Sequence, residues 1–161
     1  MPRNLLIGTI TNYSWDDVAM FCNSYVQTGF ENCDCVLFID NISDKTIRLI
    51  QSCGIIVHNI DERFKGCSVN GFRWSLYRDY LNEHKGEYDM ICTCDVRDLV
   101  FQRDIFKCYK DHAPFLGLAL EDVSLSTDWS RNYITYFFGR EVWESVKEQR
   151  TICMGTVWGT A

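Results

Sequence analysis

The chain has 161 residues, 47% of them hydrophobic and 24% charged, with a formal net charge of −6. This is the length and composition of one soluble globular domain with room for a genuine core. An acidic balance without a block of lysine or arginine argues against a nucleic-acid partner. No apolar run approaches the roughly 20 residues of a membrane span, and no signal-peptide pattern opens the chain.

Nine cysteines are spread along it. Cys33/Cys35 and Cys92/Cys94 are spaced by one residue, which in a strand puts both sulfurs of a pair on one face. No Cys-x-x-Cys pair or histidine cluster accompanies them, so zinc is not indicated. An odd count without a secretory signal is the pattern of reduced, mostly buried thiols. Two glycosylation sequons, Asn12-Tyr13-Ser14 and Asn41-Ile42-Ser43, fall in loops read below as ligand loops, where a glycan would obstruct. The expected compartment is therefore cytoplasmic, or Golgi or lumenal if a longer form carries an anchor.

Leu5 to Ile10 is a continuous apolar run, the mark of a strand buried on both faces, and it ends in Thr11-Asn12-Tyr13. Ser14 and Asp17 form a capping-box-like signal for a helix from Trp15 to Gln27, stopped by Gly29. Cys35 to Ile39 predicts a second strand ending at Asp40-Asn41. Ser43 then caps a short helix carrying Ile47 and Ile50 and closed by Gly54, and Ile55 to Ile60 is the third strand. Strand alternating with helix across short polar connections predicts a Rossmann-like, mostly parallel sheet between helical layers. The absence of Gly-x-Gly-x-x-Gly after the first strand argues against a dinucleotide site of the usual kind.

Asp61 to Cys67 is a polar loop before a helix over Val69 to Glu83. Its apolar arc, formed by Phe72, Trp74, Leu76, Tyr77, Tyr80 and Leu81, has Arg73 in its middle. An arginine facing inward must be paired or must meet a ligand, because an isolated buried charge is too costly. A structural ion pair with Asp95 or Asp98 and a contact to an anionic ligand both satisfy this. The fourth strand, beginning at Tyr88, ends in Asp95-Val96-Arg97-Asp98. Ligands of open α/β sheets bind beyond the carboxyl ends of strands, and two carboxylates there suit a divalent metal and the diphosphate it carries. Phe101 to Phe106 reads as a turn into a short segment. A fifth strand, Phe115 to Leu120, is expected to end in Glu121-Asp122. An aromatic stretch from Trp129 to Phe138, a helix from Glu141 to Glu148 and a strand-like segment from Ile152 complete the chain. Stopping on a buried strand is unusual for a domain, so the reading is one domain over 1–161, C-terminally incomplete.

With the strands placed, the chain resembles a GT-A type glycosyltransferase, the nucleotide-diphospho-sugar transferase fold. The resemblance is carried by the strand end Leu5 to Asn12, by Asp40-Asn41, by Phe72 to Leu81, and above all by Cys94 to Phe106. That last segment is similar to the aspartate–x–arginine–aspartate block of a poorly characterised group of such enzymes. An acidic strand end at Glu121-Asp122, Asn132 and the segment Cys153-Met154-Gly155-Thr156 add to it, with Met154 where the pattern has serine. The resemblance implies transfer of a sugar from a nucleotide-diphosphate donor to a hydroxyl acceptor on a glycan, protein or small molecule. It implies Mn²⁺ or Mg²⁺ at a DxD-like motif built from Asp98 and Asp95, with Asp95 contacting ribose or acting through water. Arg73 and Arg97 would bond the diphosphate, and Thr9, Thr11, Asn12 and Asp40 would lie along base and ribose. Glu121 and Asp122 are candidates for the base that deprotonates the acceptor, or else bind its hydroxyls or cap the next helix. A nucleotidyltransferase is disfavoured, because Thr9 to Trp15 lacks a glycine-rich basic loop. A truncated, non-catalytic remnant that binds nucleotide or a protein partner is the alternative.

Overall fold

The computed structural model describes residues 2–64, 67–109 and 116–161. Lys65 and Gly66 of the expected polar loop, Phe115 at the expected start of the fifth strand, and the side chain of Met154 lie outside the described part. The chain divides into two compact units, Met1–Leu116 with Trp158–Ala161, and Gly117–Val157.

In the first unit, β1 (Arg3–Thr11), β2 (Cys33–Asp40), β3 (Ile56–Asn59) and β4 (Tyr88–Cys94) lie in the order β3-β2-β1-β4, all parallel. The end of β6 (Arg150–Thr160) adds antiparallel to β4, pairing Trp158 with Cys92 and Thr160 with Met90. β1 is central because it is apolar on both faces: Leu5, Leu6 and Ile7 are each fully buried. Its alternate side chains serve two cores. Leu6 and Ile10 pack with Val18, Phe21 and Cys22 of α1 (Trp15–Thr28) and Ile50 of α2 (Asp44–Ser52). Leu5 and Ile7 pack with Phe72, Leu76, Tyr77 and Tyr80 of α3 (Val69–Glu83). The result is an α/β three-layer sandwich with a mostly parallel sheet, as the strand–helix alternation predicts.

Local signals act as read. Ser14 and Asp17 close a capping box on α1, and Gly29 leaves the helix left-handed at φ 60°. The Ser43 hydroxyl accepts the Thr46 backbone N–H at 3.2 Å to start α2. A single 3₁₀ turn, Glu62–Phe64, sits in the polar loop, and the short segment after Phe101 is α4 (Ile105–Tyr109).

All nine cysteines are free; Cys22, Cys35, Cys92 and Cys94 are buried, while Cys67 and Cys108 are exposed. Burial first, and the neighbouring Cys53 second, push the Cys22 thiol up to about 12. Alkylation of the folded protein at neutral pH is therefore expected to label Cys67 and Cys108 first. The four buried thiols should react only after denaturant is added. Mass spectrometry of partly labelled protein reads the order, and early labelling of Cys35 or Cys94 would contradict this core.

The second unit contains most of β5 (Leu116–Ser124), α5 (Asp128–Phe138), α6 (Arg140–Val146) and the first part of β6 beside β5. Thr127 caps α5 by accepting the Ser130 N–H, and Trp143 Nε1 donates to the Leu125 carbonyl at 3.1 Å. Its aromatic stretch is helical, and Trp129, Tyr136 and Phe138 are largely exposed. Among the described residues no helix is long and apolar enough to cross a membrane.

Candidate functional site

The carboxyl ends of β1 and β4 and the first turns of α3 enclose a cavity of about 290 Å³. β1 contributes Thr9 and Thr11, α3 contributes Arg73, and the turn after β4 contributes Asp95, Arg97 and Asp98. Six of the residues singled out in the sequence thus meet in one place. The turn explains their spacing. Val96 is 2% exposed and packs into the core, so the chain reverses around it and presents Asp95 and Asp98 to the same cavity. The two intervening residues are the means by which both carboxylates reach it.

Arg73 resolves the question posed by the helical wheel. Its side chain is 12% exposed, and Nη1 donates to Asp95 Oδ1 at 2.7 Å. The pair is both structural and part of the cavity wall. Asp98 is exposed and makes no ion pair or hydrogen bond among the described residues. Arg97 is 67% exposed; its Nε lies 3.8 Å from Asp17 Oδ1 and its guanidinium 5.9 Å from the Tyr13 ring centre. The Asp17 carboxyl is held below its usual range, chiefly by hydrogen bonds from the Ser14 side chain and backbone and to a smaller extent by Arg97. One turn along α3 from Arg73, Tyr77 OH accepts the Thr9 hydroxyl at 3.0 Å, and burial pushes that phenol up to about 12. The hydrogen bond ties the cavity floor to the helix.

Two lining residues able to meet a ligand through an aromatic ring or an amide escaped the sequence reading. Tyr13 follows the strand end directly, and Asn70 lies three residues before Arg73, on the same helical face. Those positions were the available signals.

Asn12 and Asp40 are placed differently. Asn12 is exposed at the left-handed φ of 59°, donates its N–H to the Asp40 carbonyl, and accepts an amide N–H from Asn41 at 2.5 Å. Asp40 lines a neighbouring cavity at the ends of β2 and β3. Glu121 and Asp122 belong to the second unit. β5 runs on to Ser124, so both lie within the strand and not at its end, and both are exposed. The Glu121 carbonyl accepts from Arg150 Nε at 3.0 Å, and Asp122 sits 3.7 Å from the same guanidinium. The second unit also has two larger grooves, of about 610 and 680 Å³. Neither is lined by Glu121 or Asp122.

No family model matches this sequence, and no curated protein matches it. Solved structures do. The galactosyltransferase LgtC, in complex with donor and acceptor sugar analogs, superposes with a TM-score of 0.56 at 15% identity over 96% of this chain. An active-site mutant of LgtC superposes with a TM-score of 0.56 at 12% identity, again over 96%. The fold is GT-A. The chain spans 56% to 57% of the length of these structures, and the identity is too low to carry more than fold. It does not extend to the group with the aspartate–x–arginine–aspartate block.

A divalent cation is the group this fold raises. Among the described residues no three histidine, cysteine or acidic side chains cluster as a metal cage. The cavity instead offers one unpaired carboxylate, Asp98, and a second, Asp95, already countered by Arg73. Such a set fits a hard cation that takes one or two carboxylates from protein and its other oxygens from a phosphate-bearing substrate. It does not fit an ion held by protein alone.

Proposed function

We propose that this chain is a glycosyltransferase that moves a sugar from a nucleotide-diphosphate donor to a hydroxyl acceptor. The observation that supports this most is the meeting of Arg73, Arg97, Asp95 and Asp98 in one cavity at the strand ends of a GT-A fold. In the transfer, the bond from the sugar's anomeric carbon to the diphosphate breaks and one to the acceptor oxygen forms. The diphosphate leaves with the bonding electrons, and the acceptor proton must be taken up. Arg73 and Arg97 donate charge-assisted hydrogen bonds to the leaving group. Thr9 and Thr11 offer hydroxyls along the ribose, and Tyr13 gives it an aromatic neighbour. Asp98, with Asp95, would hold Mn²⁺ or Mg²⁺, which when bound neutralises charge on the diphosphate. Glu121 and Asp122 remain the candidate bases for the acceptor hydroxyl.

Titration calorimetry with UDP and GDP, with and without Mn²⁺, tests the reading. Binding is expected to require the metal and to weaken about 10- to 100-fold in Asp98→Asn, the loss of one charge-assisted contact. Metal-independent binding that ignores Asp98→Asn would overturn it. A second reading, a non-catalytic nucleotide-binding or protein-interaction module, is favoured by the lack of any acid other than Asp95 and Asp98 in the cavity wall among the described residues. Donor-sugar hydrolysis measured on the same samples separates the two.

A further inference from the structure

The cavity at the ends of β2 and β3 has a volume of about 270 Å³ and a chemistry of its own. Its walls are isoleucine: Ile39 and Ile60 are 3% and 7% exposed, and Ile42 and Ile47 are half-buried. Its polar lining is Asp40, Glu62, Asn41 and Asn59, with no lysine or arginine among the described residues. The Asp40 carboxylate makes no ion pair or hydrogen bond among the described residues. Asn41 commits an amide N–H to Asn12, which shifts what it has left toward accepting. The same Asn12–Asn41 bridge joins the loop carrying Thr11 and Tyr13 to the loop carrying Asp40, so the two cavities flank it.

Apolar walls with an acceptor-rich rim suit a flat heterocycle that presents adjacent donors. Guanine does so, with N1–H and the N2 amino group side by side, which one carboxylate can accept together. Uracil has a single N3–H between two carbonyls, and those carbonyl lone pairs would face the Asp40 carboxylate. Adenine and cytosine fall between, with one exocyclic amino group each. Resting on the reading that a nucleotide diphosphate occupies the neighbouring cavity, we propose that this one takes the donor's base and selects guanine, with Asp40 as the selecting residue. Discrimination arises as much from repulsion of uracil as from attraction of guanine.

Calorimetric titration of the full chain with GDP, ADP, CDP and UDP in Mn²⁺ tests this. GDP is expected to bind at least about tenfold more tightly than UDP, with ADP and CDP between. Asp40→Asn should cost GDP about tenfold or more and leave UDP unchanged or tighter, whereas Asp40→Glu, which keeps the acceptor, should keep GDP ahead. Asp98→Asn should weaken all four alike. If UDP binds as well as GDP and both still depend on Asp98, the base assignment falls and the diphosphate site stands. A loss in Asp40→Asn that is equal for GDP and UDP overturns the assignment too. If no diphosphate binds, both readings fall together.

Discussion

Gly8→Val is expected to destabilise the protein by about 3 kcal/mol or more, and Gly8→Ala by about 1–3 kcal/mol, the range for overpacking a dense core. Gly8 lies on the central strand between Leu37 of β2 and Cys94 of β4. A Cβ there would stand 2.9 Å from Val96 Cγ2, 3.0 Å from Leu37 Cδ2 and 3.0 Å from the Cys94 carbonyl oxygen. The two methyl groups can move. The carbonyl can move only with its strand, and the next residue along that strand is Asp95. Even alanine should therefore shift the turn that carries Asp95 and Asp98, and nucleotide binding should weaken before the fold is lost. Urea midpoints and calorimetry on the alanine variant read the two effects separately. An alanine variant with unchanged midpoint and affinity would show that β4 is not held in place by this close approach.

The sequence made visible whatever is decided locally. Apolar runs marked β1, β2 and β4 because a strand buried on both faces cannot alternate, and Ser14, Ser43 and Gly29 marked helix ends because capping involves only neighbours. Arg73 stood out because an α-helix fixes which residues share a face. What escaped needed the third dimension. The turn at Asp95 to Asp98 depends on Val96 finding space beneath Gly8, which no spacing rule contains. Asp40 stands at the end of β2 as read, yet it faces a separate cavity, because the Asn12–Asn41 bridge intervenes. The apolar run stops at Leu120, which predicts a strand end at Glu121-Asp122, yet β5 continues to Ser124. β5 is largely exposed, with Leu116, Leu120 and Val123 each about half or more in solvent, so polarity did not mark its limit. The α5 aromatics are exposed as well, and a sequence shows that a residue is apolar and not that anything covers it.

Arg73→Met should weaken nucleotide-diphosphate binding about 10- to 100-fold, which corresponds to one charge-assisted hydrogen bond. The same change should cost about 1–2 kcal/mol of stability, between the values for a buried pair broken on one side and for an exposed one. The intermediate value follows from asymmetry: Arg73 is 12% exposed, while Asp95 is 45% exposed and can be rehydrated once its partner is gone. Methionine keeps most of the apolar volume, so the packing of α3 on β1 changes little. Lysine makes the sharper comparison. It retains the charge but not the planar fork, so Arg73→Lys should recover stability more than affinity if the guanidinium must hold Asp95 and a phosphate oxygen together. Parallel recovery of both would make Arg73 a structural partner of Asp95 alone. The double variant Arg73→Met with Asp95→Asn then measures the coupling directly, because it removes the stranded carboxylate together with its counter-charge. Stability should return most of the way in that protein while affinity does not, since the diphosphate would still lack its donor.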